Sequence, residues 1–166
     1  MDNIFSVFAD KANLIWGTVI TALSCAIGSH WMLFAFFFIL NVVDYIYGIL
    51  KANATNTRNS AKGALGILKK VSYWVVIALS FGVAGVFVDV GATLGIDLGF
   101  LRLIGWFTLA IYIVNELTSI VENMVALGIE VPEILVRGLA AAKTAVDEAG
   151  DKVVPRAGGN NENDDG

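Results

Sequence analysis

Asp44 and Glu116 are carboxylates set inside long apolar stretches, and Lys69-Lys70 stands at the start of a third such stretch. A carboxylate at the centre of a membrane span costs roughly 2.5–3.5 kcal/mol on insertion scales, so each needs a physical reason to be there. Asp44 lies six residues from the inner end of its stretch and Glu116 five. At about 1.5 Å per residue, both sit about 8–9 Å inside that end, at matching depth. Lys69 and Lys70 begin their stretch at the same face, so pairing with one or both carboxylates would lower the cost. Asn41, Asp44, Tyr45 and Gly48 share one side of a helix. Asn115, Ser119, Glu122 and Asn123 make a polar stripe on another, with Glu116 beside it. Three roles are open to such groups. They can hold a bundle together or snorkel to headgroups, they can line water in an assembled state, or they can relay protons or bind a substrate.

The elements that must position these residues are apolar runs. The chain has 166 residues, 57% hydrophobic and only 16% charged, against about 25% charged in a soluble domain. No soluble domain of useful size fits beside the spans. The pattern predicts an all-α membrane protein. Residues 1–13 form an interfacial amphipathic segment with Ile4, Phe5 and Phe8 on one face. Residues 14–121 form a bundle of four transmembrane helices: Leu14–Gly28, Trp31–Leu50, a third that begins after Lys69-Lys70 and runs to about Gly95, and Phe100–Val121. The first is short for a core of about 30 Å and needs tilt or part of the preceding segment. Three spans, with 14–50 as a re-entrant hairpin, are the alternative. Residues 122–149 form a cytoplasmic amphipathic helix region, opened by Pro132 and carrying Leu135, Leu139, Ala142 and Val146 on one apolar face. Residues 150–166 form a disordered acidic tail.

Charge sets the orientation. Lys51, Arg58, Lys62, Lys69 and Lys70 fall in one twenty-residue window without an acid, and they are five of the eleven Lys and Arg residues. The positive-inside rule places this basic loop, 51–66 with the following lysines, in the cytoplasm of a bacterium. With four spans, both termini are then cytoplasmic. The net charge of −4 belongs to the end of the chain: six acids from Asp147 onward stand against Lys152 and Arg156.

Small residues mark faces for close helix packing. Gly17 and Gly28 lie on one face of the first span, Gly48 on the second, and Ala78, Gly82 and Gly85 on the third. Contacts within one chain and between subunits fit this pattern equally. One cysteine, Cys25, allows no intrachain disulfide, and with one histidine the chain offers no Cys–His pair and no cluster of metal ligands. No phosphate-cradling loop or nucleophile elbow occurs. Enzyme activity, a cofactor, a metal and a nucleic-acid partner are therefore not expected.

Two segments resemble a known family. One holds Asp44, Gly48, Ala52, Ser60, Gly63 and Lys69-Lys70. The other is the run from Asn115 to Asn123 followed by Gly128 and Pro132. Together, over roughly residues 14–140, they resemble the bacteriophage holin family that includes the holin-like proteins clostridia use for toxin secretion. The resemblance implies a homo-oligomer in the cytoplasmic membrane that opens timed lesions, releasing an endolysin or a toxin without necessarily touching it. It also implies that Asp44, Lys69, Lys70, Asn115, Glu116, Ser119, Glu122 and Asn123 are family-like polar positions. Anionic lipids are expected partners of the basic segment. The acidic tail departs from the basic tails common among holins. The alternatives are an ion channel or transporter subunit, and an antiholin-like regulator.

Overall fold

The computed structural model describes residues 13, 14, 17, 18, 21 and 30–153. Asn13, Leu14, Gly17, Thr18 and Thr21 are helical, and Thr18 and Thr21 return their hydroxyls to the carbonyls four residues earlier. The rest of the expected first span, with Gly28, lies outside the described residues. So do the segment 1–12 and the tail from 154. Four helices follow: α1 Trp31–Ala54, α2 Ser60–Leu94, α3 Arg102–Ala126 and α4 Glu133–Val153, with a short 3₁₀ turn Gly99–Leu101 leading into α3. No strand occurs among the described residues. Three segments, Trp31–Ala54, Ser60–Leu94 and Gly99–Ala126, are long and apolar enough to cross a membrane. The chain divides into two units at Ile39 and Leu40, and the second carries α1 from Leu40 onward together with α2, α3 and α4.

The three spanning helices end the same way. Each reaches a residue in the left-handed conformation, with φ 52° at Asn56, 73° at Gly95 and 78° at Gly128. In each, the following N–H donates to a carbonyl five residues back: Thr57 to Ala52 at 3.0 Å, Ile96 to Gly91 at 2.8 Å, and Ile129 to Met124 at 3.0 Å. This Schellman arrangement satisfies carbonyls that the helix leaves over. Glycine removes the Cβ clash at two of the three sites, and asparagine tolerates it at the third.

The basic segment is not a loop. Only residues 55–59 between α1 and α2 are non-helical. Lys51 sits in the last turn of α1, and Lys62, Lys69 and Lys70 are on α2. The 35 residues of α2 are about 52 Å long, so the helix begins well before the apolar stretch does. The start is set by Asn59, whose backbone is extended and whose side-chain oxygen accepts the Ala61 N–H at 2.8 Å. Losing such a cap costs about 1 kcal/mol. Asn59→Ala should therefore lower the thermal midpoint of the detergent-solubilised chain measurably, while Asn59→Gly should cost only a few tenths of that energy. Equal midpoints for the two variants would remove the cap from the account.

α2 and α3 form an antiparallel hairpin in which each step up one helix is matched by a step down the other. Tyr73 stacks on Tyr112 with ring centres 4.3 Å apart. The Ser80 and Thr108 hydroxyls lie 3.2 Å apart. Phe81 meets Trp106 edge-on at 5.0 Å. The seam on α2 is Ile77, Ala84 and Gly91, all buried and seven residues apart, the spacing that keeps one stripe facing a neighbouring helix. The stripe of Ala78, Gly82 and Gly85, expected for contacts within the chain or between subunits, is not the one packed within the chain. Ala78 and Gly82 are exposed, and Gly85 is half-buried. A Cβ added at Gly82, Gly85 or Gly48 would meet nothing within 4 Å, and the same holds at Gly17. The glycines in tight quarters are Gly91, whose added Cβ would lie 2.7 Å from the Ile96 carbonyl oxygen, and Gly105, where it would lie 2.6 Å from the Phe81 ring.

α4 lies close against α3. It starts immediately after Pro132 and runs through Gly150 to Val153, beyond its expected end. None of its residues is fully buried. Of its expected apolar face, Leu139 and Val146 are half-buried, whereas Leu135 and Ala142 are exposed.

Candidate functional site

The site is a chain of polar side chains drawn from three helices. Asp44 and Lys51 lie on α1, two helical turns apart and hence on one face. Glu116 and Asn123 stand in the same relation on α3. Lys70 enters from α2. Its Nζ donates to Asp44 Oδ2 at 2.9 Å and to Glu116 Oε2. The other carboxylate oxygen of Asp44 accepts from Asn123 Nδ2 at 3.0 Å, and Asn123 Oδ1 accepts from Lys51 Nζ at 3.0 Å. The order is thus Lys51, Asn123, Asp44, Lys70, Glu116. Asp44 then Lys51 on α1 follows the same order as Glu116 then Asn123 on α3, so these helices run parallel here, with α2 antiparallel to both.

Electrostatics explains why this cluster is tolerated. Two ammonium groups balance two carboxylates. Glu116 is 3% exposed and Asn123 9%, so neither has enough water around it to carry an unmatched charge or amide. The insertion cost of a lone carboxylate is met here by a shared cation and charge-assisted hydrogen bonds. Asn41, one turn before Asp44, is buried as well.

The matched depth of Asp44 and Glu116 is resolved by one lysine that touches both. That lysine is Lys70. Lys69 is exposed and its Nζ stands 5.8 Å from the centre of the Tyr73 ring, near the outer reach of a cation–π contact. The expected stripe on α3 divides between faces. Glu116 and Asn123 turn into the network, Asn115 and Ser119 are half-buried outside it, and Glu122 is exposed. Arg58 and Lys62 lie at the α1–α2 connection and do not join it. Lys51, expected only as a loop cation, is a member. Its seven-residue spacing from Asp44 is the signal that could have placed it there.

Among the described residues, no group of three His, Cys, Asp or Glu side chains is placed to hold a metal ion. The network offers ion pairs and hydrogen bonds that link three helices, but no nucleophile paired with a base.

Three apolar helices joined by a neutral charged network define a small multi-pass membrane protein. The model of the bacteriophage holin family matches residues 21–144, and the chain belongs to that family. It is a holin-like membrane protein, and this is not a family of enzymes. An uncharacterized protein of Halalkalibacterium halodurans is 32% identical over 135 residues, covering 80% of this chain and 96% of that protein. Uncharacterized proteins of Listeria monocytogenes and Listeria innocua are each 31% identical over 94 residues, covering 57% of this chain and 59% of each relative. No solved structure gives a significant match.

Proposed function

We propose that the chain is a holin, which oligomerises in the bacterial cytoplasmic membrane and opens timed lesions through which an endolysin or a toxin leaves the cell. Beyond family membership, the observation that carries this reading is how α1 is held. Close backbone approach joins α2 to α3 and α3 to α4, whereas the inner half of α1 meets the α2–α3 hairpin through Asp44, Lys51 and their partners. Such a helix is attached by ion pairs that water can replace. In the resting state the network faces inward and is neutral. Above a threshold density, or when the membrane potential falls, α1 parts from the hairpin. The polar faces of several subunits then line water. The α1–α2 connection and both termini lie in the cytoplasm in this reading, with four spans in all. The family-like positions Asn115, Ser119 and Glu122 add polar surface to α3 beside the network.

Expression from a tight promoter, with and without a cytoplasmic muralytic enzyme, tests the proposal. The expected course is a delay, abrupt loss of viability, release of a cytoplasmic reporter protein, and clearing of the culture only when the enzyme is present. Ion or dye entry without release of protein would favour a channel or transporter subunit instead. Continued growth with the chain inserted would reject a lesion formed by this chain alone and favour an antiholin-like regulator.

A further inference from the structure

A cleft of about 570 Å³ opens between the inner end of α1 and the first third of α2, within the size range of ligand sites, about 300–1,000 Å³. Its walls are apolar, with Ile49 on α1 and Ile67 on α2. Glycines keep it open: Gly48, Gly63 and Gly66 line it, and a Cβ added at any of them would meet nothing within 4 Å. Its floor is the Asp44–Lys70 pair, whose charges already answer one another. Its rim carries Arg58 and Lys62. Neither meets a carboxylate among the described residues, and Asp44 is the one acid in the lining. The first turn of α2, which begins at the rim, contains no acid either, so its N-terminal dipole adds to the positive potential. The unanswered charge of the cleft is positive, and it sits above an apolar interior.

We infer that this cleft binds the headgroup of an anionic phospholipid, with the phosphate held between Arg58 and Lys62 and the acyl chains running down past Ile49 and Ile67. A ligand with one anionic end and an apolar body matches both parts of the lining, and basic pockets between spans at the cytoplasmic face suit such headgroups. A soluble anion would use the rim and leave the apolar walls wet. The inference rests on the cytoplasmic placement of the α1–α2 connection in the proposed function. It gives that connection a defined lipid site rather than a diffuse attraction to the surface. A lipid wedged between α1 and α2 would also brace the two helices that the charged network joins.

The full-length chain is reconstituted in vesicles of equimolar phosphatidylglycerol and phosphatidylcholine, and the lipid retained on release is read by native mass spectrometry. Retention of phosphatidylglycerol over phosphatidylcholine is expected. The double variant Arg58→Gln, Lys62→Gln should lower that preference about 30-fold, equivalent to about 2 kcal/mol at about 1 kcal/mol per basic residue. Gly63→Leu keeps both charges but puts a bulky side chain into the cleft, and it should lower the preference too. Neither variant touches the charged network, and circular dichroism checks that each remains helical. A Gly63→Leu chain that keeps the full preference would overturn the site in favour of diffuse attraction. Displacement of the lipid by inorganic phosphate alone would overturn the lipid assignment. Lipid retention is read without lysis, so the two proposals fail separately. A chain that binds but does not lyse sinks only the holin reading, and one that lyses with no lipid preference sinks only this site.

Discussion

Lys70→Met is expected to reduce sharply both the accumulation of the folded chain in the membrane and its melting midpoint, while Lys69→Met leaves them nearly unchanged. The two lysines are adjacent in sequence, yet only Lys70 reaches Asp44 and Glu116. Removing it leaves two facing carboxylates with no shared cation, one of them almost fully buried. Breaking a buried ion pair from one side costs about 3–5 kcal/mol, a large part of the 5–15 kcal/mol by which a typical native protein is stable. Lys69, exposed and near one aromatic ring, contributes on the scale of surface charges, at most about 1 kcal/mol. The measurement is the membrane-bound amount of each variant and its melting midpoint in detergent. Neutralising the centre of the cluster, with Lys70→Met, Asp44→Asn and Glu116→Gln together, should recover most of the lost stability, because no carboxylate is then left without its cation and Lys51 keeps its hydrogen bond to Asn123. If the network is also what delays opening, this triple variant should assemble yet clear cultures earlier than the parent when co-expressed with a muralytic enzyme. A Lys70→Met chain with parental abundance and midpoint would show that the network is not what holds α1.

Much of this site was legible because charge in an apolar run is rare and costly. Asp44 and Glu116 stand out for that reason, counting residues from the span ends put the two at one depth, and Lys69-Lys70 begins its stretch at the same face. Hydropathy could not choose between Lys69 and Lys70, since two adjacent residues differ by about 100° around a helix and only the packed neighbours decide which turns inward. It also grouped Asn123 with Asn115, Ser119 and Glu122 because all are polar, although Asn123 belongs with Glu116 two turns earlier. The helix bounds failed for a related reason. Residues 51–66 read as loop because they are rich in Asn, Thr, Ser and Gly, but hydropathy reports where lipid begins and not where helix begins or ends. The cap at Asn59 and the left-handed Asn56 were the local signals that bracket the true connection. Packing was the least legible. Small residues are equally small on a face turned to lipid, to another subunit or to a helix of the same chain, so Ala78, Gly82 and Gly85 fitted contacts within the chain and between subunits equally. The close approach seen within the chain uses the buried Ala84 on α2 and Gly105 against Phe81 on the hairpin, with Gly91 tight against the turn that follows α2.

Gly105 is therefore where a single side chain should separate the hairpin. An added Cβ there would stand 2.6–2.7 Å from three atoms of the Phe81 ring, closer than any carbon contact tolerates. The ring is itself held edge-on by Trp106, so it has little freedom to turn aside. Overpacking of this kind costs about 1–3 kcal/mol even for small additions. Gly105→Leu adds three more carbons at the same point and should drive α2 and α3 apart. The hydroxyl pair at Ser80 and Thr108, 3.2 Å apart, gives a ruler one turn away. In a Cys25→Ala background, cysteines at positions 80 and 108 should cross-link readily under mild oxidation, and Gly105→Leu should slow that cross-linking strongly. Phe81→Ala opens the space the leucine needs, so combining it with Gly105→Leu should restore part of both the cross-linking rate and the melting midpoint. The two substitutions would then be non-additive, as residues in direct contact are. Strictly additive losses would mean that Gly105 and Phe81 do not meet, and that the antiparallel register of α2 and α3 differs from the one described. Because Lys70 reaches Glu116 only in this register, Gly105→Leu should also weaken the network about three to five turns of helix away along the bundle, and lysis should fail with it.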